Sequence, residues 1–257
     1  MSRRLPSVIA ALQFPPFRGA DVMPMSWYED YLMANGDAFV SGGIRAIKIQ
    51  DETREEGGAS ARTVARMSAL GRLFRQTHPE IVLGIIVQAH DAVAPLAIAD
   101  ASGADFVRLK VFVGASVNAE GMRNALSVQA TSYRDSIGRP DIAILADVHD
   151  RTSFAVSQVD DATAAGWAQK SGADAIVLTG NSFGDSCAKV TQSRAAGVNC
   201  PIFIGGGITE SNIAEALQLA DGVVVSTALL RGHAGPEDLL RWDAKAVRRL
   251  IDRIPGV

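Results

Sequence analysis

Two short apolar runs that end in very small residues place the tightest limit on how this chain can fold. Ile202-Phe203-Ile204 stops at Gly205-Gly206-Gly207-Ile208-Thr209, and Gly222-Val223-Val224-Val225 stops at Ser226-Thr227. Each reads as a parallel strand whose closing turn leaves backbone N–H groups facing a ligand, with a helix start beyond it. The plainer reading of the first turn is steric, with the three glycines leading into Thr209 as a helix cap and Asn212 three positions on.

The same strand-then-helix order recurs along the whole chain. Strands are predicted at Val8–Gln13, Ile44–Gln50, Ile81–Val87, Phe106–Val111, Ile142–Ala146, Ala175–Leu178, Pro201–Ile204 and from Gly222. Helices are predicted at Ser26–Asn35, Ala61–Gln76, Asp91–Ser102, up to Ser136, and over Val156–Lys170, Ser186–Ala196, Glu210–Leu219 and Pro236–Ile254. In the second of these, Val64, Met67, Leu70, Leu73 and Phe74 recur at helical spacing. Phe112–Glu120 reads as a long loop. The phrases Gly103-Ala104-Asp105, Gly172-Ala173-Asp174 and Ala220-Asp221-Gly222 mark the turns that return the chain to a strand.

Eight such units imply an α/β fold, a TIM (β/α)8 barrel of the phosphate-binding type, occupying residues 1–257 as one domain. An open doubly wound sheet is the alternative, although the dinucleotide fingerprint is missing after the first strand. A length of 257 residues, 47% of them hydrophobic, suits a single large core.

A net charge of −3 offers no general attraction for nucleic acid or anionic membrane. No apolar run reaches the length needed to cross a bilayer, and the Val8–Phe14 run is too short for a signal sequence. Cys187 and Cys200 lack metal or redox spacing. Cytoplasmic residence is therefore expected, with homo-oligomerisation left open.

In such a barrel the ligand meets the C-terminal ends of the strands. Those ends supply Gln13, Gln50 with Asp51, Gln88 with His90 and Asp91, Lys110, Asp147 with His149 and Asp150, Thr179 with Asn181, Gly205 to Gly207, and Ser226 with Thr227. Gly205, Gly206, Gly207, Ser226 and Thr227 are the phosphate-binding candidates, aided by a short helix expected near Thr227. Gln13, Gln50, Asp51 and Asn181 are the remaining substrate-binding candidates. Asp147 and His149, two residues apart, form the acid/base candidate, with Asp147 expected to orient the imidazole. The alternative is that both simply satisfy loop groups.

Lys110 can stabilise an enolate, attack a carbonyl as an imine-forming nucleophile, or pair with Asp147. Lys48, in the second strand, is a second interior lysine. A divalent metal is left open, with His149, Asp147, Asp150, His90 or Asp51 as mixed N/O ligands. Asp51 to Glu56 reads as an exposed acidic loop or a mobile cover, and Trp27, Tyr28 and Tyr31 as helix packing.

Leu12-Gln13-Phe14-Pro15-Pro16-Phe17-Arg18-Gly19, Arg108 to Ala115 with Glu120-Gly121, Ala146-Asp147-Val148-His149, Ile176 to Gly180, and Ile204 to Thr209 with Asn212 together resemble the BtpA/SgcQ family over nearly the whole chain. The resemblance implies a TIM barrel similar to phosphate-binding barrels. The family takes its name from a role in photosystem I biogenesis, and other members resemble proteins of carbohydrate-related operons. Against the family pattern, Gln13 stands in place of histidine, Gln50-Asp51 in place of Glu-Asn, and Lys110 in place of asparagine.

The expectation from sequence is a barrel that binds a phosphorylated sugar or related metabolite and works by acid/base chemistry as an isomerase or as a lyase of the aldolase type. A noncatalytic assembly or regulatory protein that retains the anion pocket is the alternative.

Overall fold

The computed structural model describes residues 5–20, 22–149 and 152–254; Asp150, one of the metal candidates, lies outside them. In chain order the elements are β1 (Val8–Phe14), α1 (Met25–Gly42), β2 (Ala46–Asp51), α2 (Ala61–Thr77), β3 (Val82–Ile86), α3 (Ala94–Ser102) and β4 (Phe106–Leu109). Next come β5 (Ala115–Asn118), β6 (Gly121–Asn124), α4 (Ser127–Ser136), β7 (Ala143–Val148), β8 (Phe154–Ala155), α5 (Asp161–Lys170) and β9 (Ala175–Leu178). The last are α6 (Phe183–Ala195), β10 (Ile202–Ile204), α7 (Ile213–Leu219), β11 (Gly222–Val225) and α8 (Ala244–Ile251).

Eight of the strands close into a parallel barrel in the order β1-β11-β10-β9-β7-β4-β3-β2. This is the (β/α)8 TIM-barrel architecture. Strand periodicity explains why the strands look uniformly apolar. In β2, Ile47 and Ile49 join the core under the helices, whereas Ala46 joins a separate cluster along the barrel axis. That axial cluster contains Ile9, Ala11, Val82, Phe106, Leu145, Val177, Phe203 and Val224. It plugs the lower barrel, and Gly84 is required there because a Cβ would fall 2.1 Å from the Phe106 ring.

The three recurrent junctions perform one job. Asp105, Asp174 and Asp221 accept the backbone N–H of Leu83, Ile144 and Ile202 at 2.8, 2.9 and 2.8 Å, each on the preceding barrel strand. Each carboxylate also receives an arginine from the helix that precedes that strand, respectively Arg75 of α2, Arg134 of α4 and Arg194 of α6. The same arginines donate to the carbonyls of Ile81, Ile142 and Cys200 at the strand entrance. Gly103 and Gly172 sit at φ of 72° and 93°, so these two glycines end their helices in the left-handed region.

Three sequence expectations need correction. Phe112–Glu120 is not merely a loop, because β5 pairs antiparallel with β6 and β8 in a small extra sheet. Its strands are short and mixed in polarity, so the alternation that marks a buried strand is absent. The fifth helix begins at Asp161, not Val156, because the Asp160 side chain caps it by accepting Thr163 N–H. The last helix begins at Ala244, not Pro236. Asn35 of α1 pins the preceding segment, accepting the N–H groups of Arg241 and Trp242 and donating to the Leu239 carbonyl. The short helix expected near Thr227 is present as a 3-10 turn, Thr227–Leu229.

α8 then packs on α1 so closely that a Cβ on Gly42 would meet Val247 at 2.4 Å. Tyr28 and Tyr31 are fully buried against Phe14, which confirms the packing reading of that aromatic helix face. No helix among the described residues is long and apolar enough to cross a membrane.

Candidate functional site

Above the axial plug the inward positions turn polar, and they surround an open cleft of about 340 Å³ at the C-terminal ends of the strands. The inward alternation that brings Phe106 into the plug brings Arg108 and then Lys110 into the cleft wall. β2 contributes Lys48 and Gln50 in the same way, and Gln13, Gln88, Asp147 and Thr179 join from other strands. The turn Gly205 to Gly207, with Ser226 and Thr227, completes the opposite wall. Thus the two glycine- and hydroxyl-rich ends meet one another at one mouth.

Gly205 is fixed by packing, since a Cβ would lie 2.1 Å from Thr179 Oγ1 and 2.7 Å from Val177. Gly206 and Gly207 differ: a Cβ on Gly206 would touch only Thr179 at 3.9 Å, and Gly207, at φ 73°, faces open space. Their N–H groups have no backbone acceptor among the described residues. Asn212 steadies the turn from behind, accepting Thr209 N–H and donating to the Gly207 carbonyl. It is Asn212, rather than Thr209, that stands at the cap position of α7. The Ser226 hydroxyl lies 3.0 Å from both the Ala11 carbonyl and Gln13 Oε1, which ties its proton to the β1 wall.

The deepest ionisable group of the mouth is Lys48, 2% exposed, whose Nζ donates to Gln50 Oε1. Burial holds its ammonium well below the usual lysine range; the nearby Arg108 adds to this, and Asp147 and Glu52 oppose it. Gln50 donates onward to Glu52 Oε1 at 2.5 Å, and Lys110 donates to Gln88 Oε1 at 2.5 Å. Asp147 receives Arg108 through both Nε and Nη2 at 2.8 Å. The carboxylate therefore faces Arg108, not Lys110.

His149 sits one residue past the end of β7 at φ 50°, so the strand's inward alternation does not continue to it. Its Nδ1 lies 2.7 Å from Asp161 Oδ1, and Lys189 Nζ is 3.1 Å from the other oxygen of that carboxylate. Asp161, not Asp147, orients the imidazole. Burial pushes the Asp161 carboxyl up, but His149 and Lys189 outweigh it and hold the group below its ordinary value. His149 nevertheless shares with Lys110 and Asp147 the wall of a much smaller adjoining pocket, lined also by Val159, Ala164 and Trp167.

Other sequence candidates lie elsewhere. Asp51 has the outward parity of β2, is fully buried, and accepts Thr53 N–H at 2.6 Å and Gln88 N–H at 3.0 Å. It staples the loop rather than facing the cleft. Asn181 is exposed beside the start of α6, its N–H donated to Asp185. His90 bonds the Asn124 carbonyl on the extra sheet at 2.8 Å. Among the described residues no three histidine, cysteine, aspartate or glutamate side chains converge as a metal cluster. Burial raises both cysteine thiols, Cys200 to about 11, which suits inert groups.

The acidic loop is partly built into the rim. Thr53 accepts Phe17 N–H at 2.8 Å, Glu52 and Arg54 line the cleft, and Arg54 reaches Glu120 of the extra sheet at 2.8 Å. Sequence reasoning missed the roles of Arg108, Asp161 and Lys189. Period-two alternation from Phe106 would have found Arg108; the other two stand on the two helices that follow β7 and carry no local signal.

The comparisons agree with this geometry at the level of family and fold. A protein of Archaeoglobus fulgidus described as uncharacterized is 30% identical over 97% of this chain and 99% of its own length. Photosystem I biogenesis protein BtpA of Synechocystis is 33% identical over 76% of this chain and 69% of its own. Among solved structures, phosphoribosyl anthranilate isomerase from Thermococcus kodakaraensis superposes with a TM-score of 0.56 at 15% identity, covering 98% of this chain and 100% of that one, which is a likeness of fold. The BtpA family itself matches residues 7–254, and the chain belongs to the BtpA family.

Proposed function

We propose that the mouth binds a phosphorylated sugar or a related small anionic metabolite and that the chain acts on it by acid/base chemistry, as an isomerase or an aldolase-type lyase. The observation that carries this reading is the local excess of positive charge. Among the described residues Arg54, Arg108 and Lys110 line the cleft against Glu52 and Asp147, beside the buried amine of Lys48, in a chain whose net charge is −3. Low-dielectric walls strengthen such a field and draw anions to the cleft.

In this reading the Gly206 and Gly207 amides and Thr227 receive the phosphate, with Gly205 and Ser226 shaping that wall. Lys110 faces oxyanion charge, Gln13 and Gln50 meet hydroxyl groups, and Asp147 with His149 moves the proton. Asp161 then fixes which imidazole nitrogen is available to substrate.

The test is calorimetric titration with phosphorylated aldoses and ketoses beside their unphosphorylated counterparts. Saturable binding of the phosphorylated members, lost in Gly206→Asp, is expected; equal binding of both sets would overturn the reading. A His149→Ala protein that still binds but no longer turns the bound sugar over would establish the acid/base part. The name of the Synechocystis relative favours a second reading, a noncatalytic role in assembly. Binding with no turnover in the wild type across the panel would select it.

A further inference from the structure

We infer that Lys48 is the amine nucleophile of this mouth, forming an imine with the carbonyl group of an aldehyde or ketone whose anionic end rests on the glycine turn. This rests on the anion-binding reading above and adds the substrate's reactive group to it.

The case begins with placement. The chain has five lysines, Lys48, Lys110, Lys170, Lys189 and Lys245, against twenty arginines, so lysine is the scarce cation here. Two of the five line the cleft. An arginine supplies permanent charge and planar hydrogen bonding, whereas a lysine alone can shed its proton and attack carbon. Lys48 occupies the inward register of β2 directly above Ala46, with Ala11 and Gly84 as its lateral partners on β1 and β3. These small neighbours let a long side chain rise from the apolar plug toward the cleft.

Its head group meets a neutral acceptor, Gln50 Oε1, rather than a carboxylate. Within the described residues no salt bridge reaches it, while Asp147, the carboxylate most able to hold it charged, is occupied by Arg108. The charged groups that act on Lys48 from the surrounding strands are Arg108, Asp147, Glu52 and Lys110. Burial and the two cations favour the free amine, the reactive form. Lys110, only partly buried and bonded to Gln88, is the competing lysine.

The step balances without any redox partner. The Nζ lone pair forms the N–C bond and the carbonyl π pair moves to oxygen. After proton transfer from nitrogen, uptake of one proton from solvent lets that oxygen leave as water, giving the protonated imine. The electron pair of an adjacent C–H or C–C bond then has the iminium as its sink, which serves both isomerisation and cleavage.

Pyridoxal 5′-phosphate, a phosphorylated aldehyde, is the probe, with pyridoxal as its counterpart lacking phosphate. Wild type, Lys48→Arg, Lys48→Met and Lys110→Met proteins, with folding checked by circular dichroism, are incubated, reduced with borohydride, digested with trypsin and mapped by mass spectrometry. The expected result is an adduct on the peptide spanning residues 46–54, whose one lysine is Lys48, kept in Lys110→Met and suppressed by inorganic phosphate. An adduct confined to Lys110 or to surface lysines, or none at all, would overturn the assignment. A Lys48 adduct formed equally by pyridoxal and indifferent to phosphate would uphold the nucleophile while refuting the anion pocket. Mapping on the wild type keeps the result decisive even if both Lys48 variants fail to fold.

Discussion

Arg108 on β4 places Nε and Nη2 both 2.8 Å from the same oxygen of Asp147 on the adjoining β7, with the two side chains only 12% and 6% exposed. This contact joins neighbouring strands at the base of the cleft, and it takes from Asp147 the role of orienting His149.

Removing one partner of a buried pair leaves the other charge without compensation. Asp147→Ala is therefore expected to lower stability by about 3 kcal/mol. Urea denaturation checks this, and a loss below about 1 kcal/mol would mean the pair is solvated like a surface ion pair.

The glycine turn pairs a tightly packed position with an open one. Gly205→Ala drives a methyl into Thr179 and Val177 and should cost about 1–3 kcal/mol by overpacking. Gly206→Ala meets only an ordinary contact and should leave the thermal midpoint unchanged. Equal midpoints for the two variants would contradict the geometry.

The Asp161 carboxyl titrates lower in the folded protein than in the unfolded chain. Its contribution is complete above its unfolded value of about 4 and fades as pH falls through the lower folded value. Lys189→Met removes one cause of that depression. The urea midpoint of the variant should accordingly fall less steeply than wild type between pH 5 and 3, and superimposable slopes would exclude the coupling.

Asp174→Ala strips Ile144 N–H and Arg134 of their common acceptor at the far end of the barrel from the cleft. A loss of about 1–3 kcal/mol is expected for a buried donor left unpaired. Binding of a phosphorylated sugar by the folded fraction should be unchanged. A tenfold or greater loss of affinity with stability intact would contradict that separation.

The barrel was legible because its strands carry hydrophobic runs and its turns carry glycine, both local signals. Most of the mouth was legible for the same reason: strand ends are recognisable, and every strand end of a barrel points the same way. Parity decided the failures. Asp51 follows Gln50 by one residue and so faces the opposite side, while His149 leaves the strand through a left-handed residue that no side-chain pattern announces. The extra sheet and the pinned segment before α8 depend on contacts across distant parts of the chain, such as Asn35 with Trp242. Sequence-local propensity holds no information about such partners.

The aspartate-arginine clamps fasten β3 to β4, β7 to β9 and β10 to β11, whereas the corresponding junction before β2 reads Gly43-Ile44-Arg45 and lacks the acid. The floor of the barrel is thereby tied two strands at a time, at the end remote from the cleft. Rim residues such as Gln13, Gln50 and Lys110 take no part in these clamps, so their exchange leaves the foundations of the barrel in place.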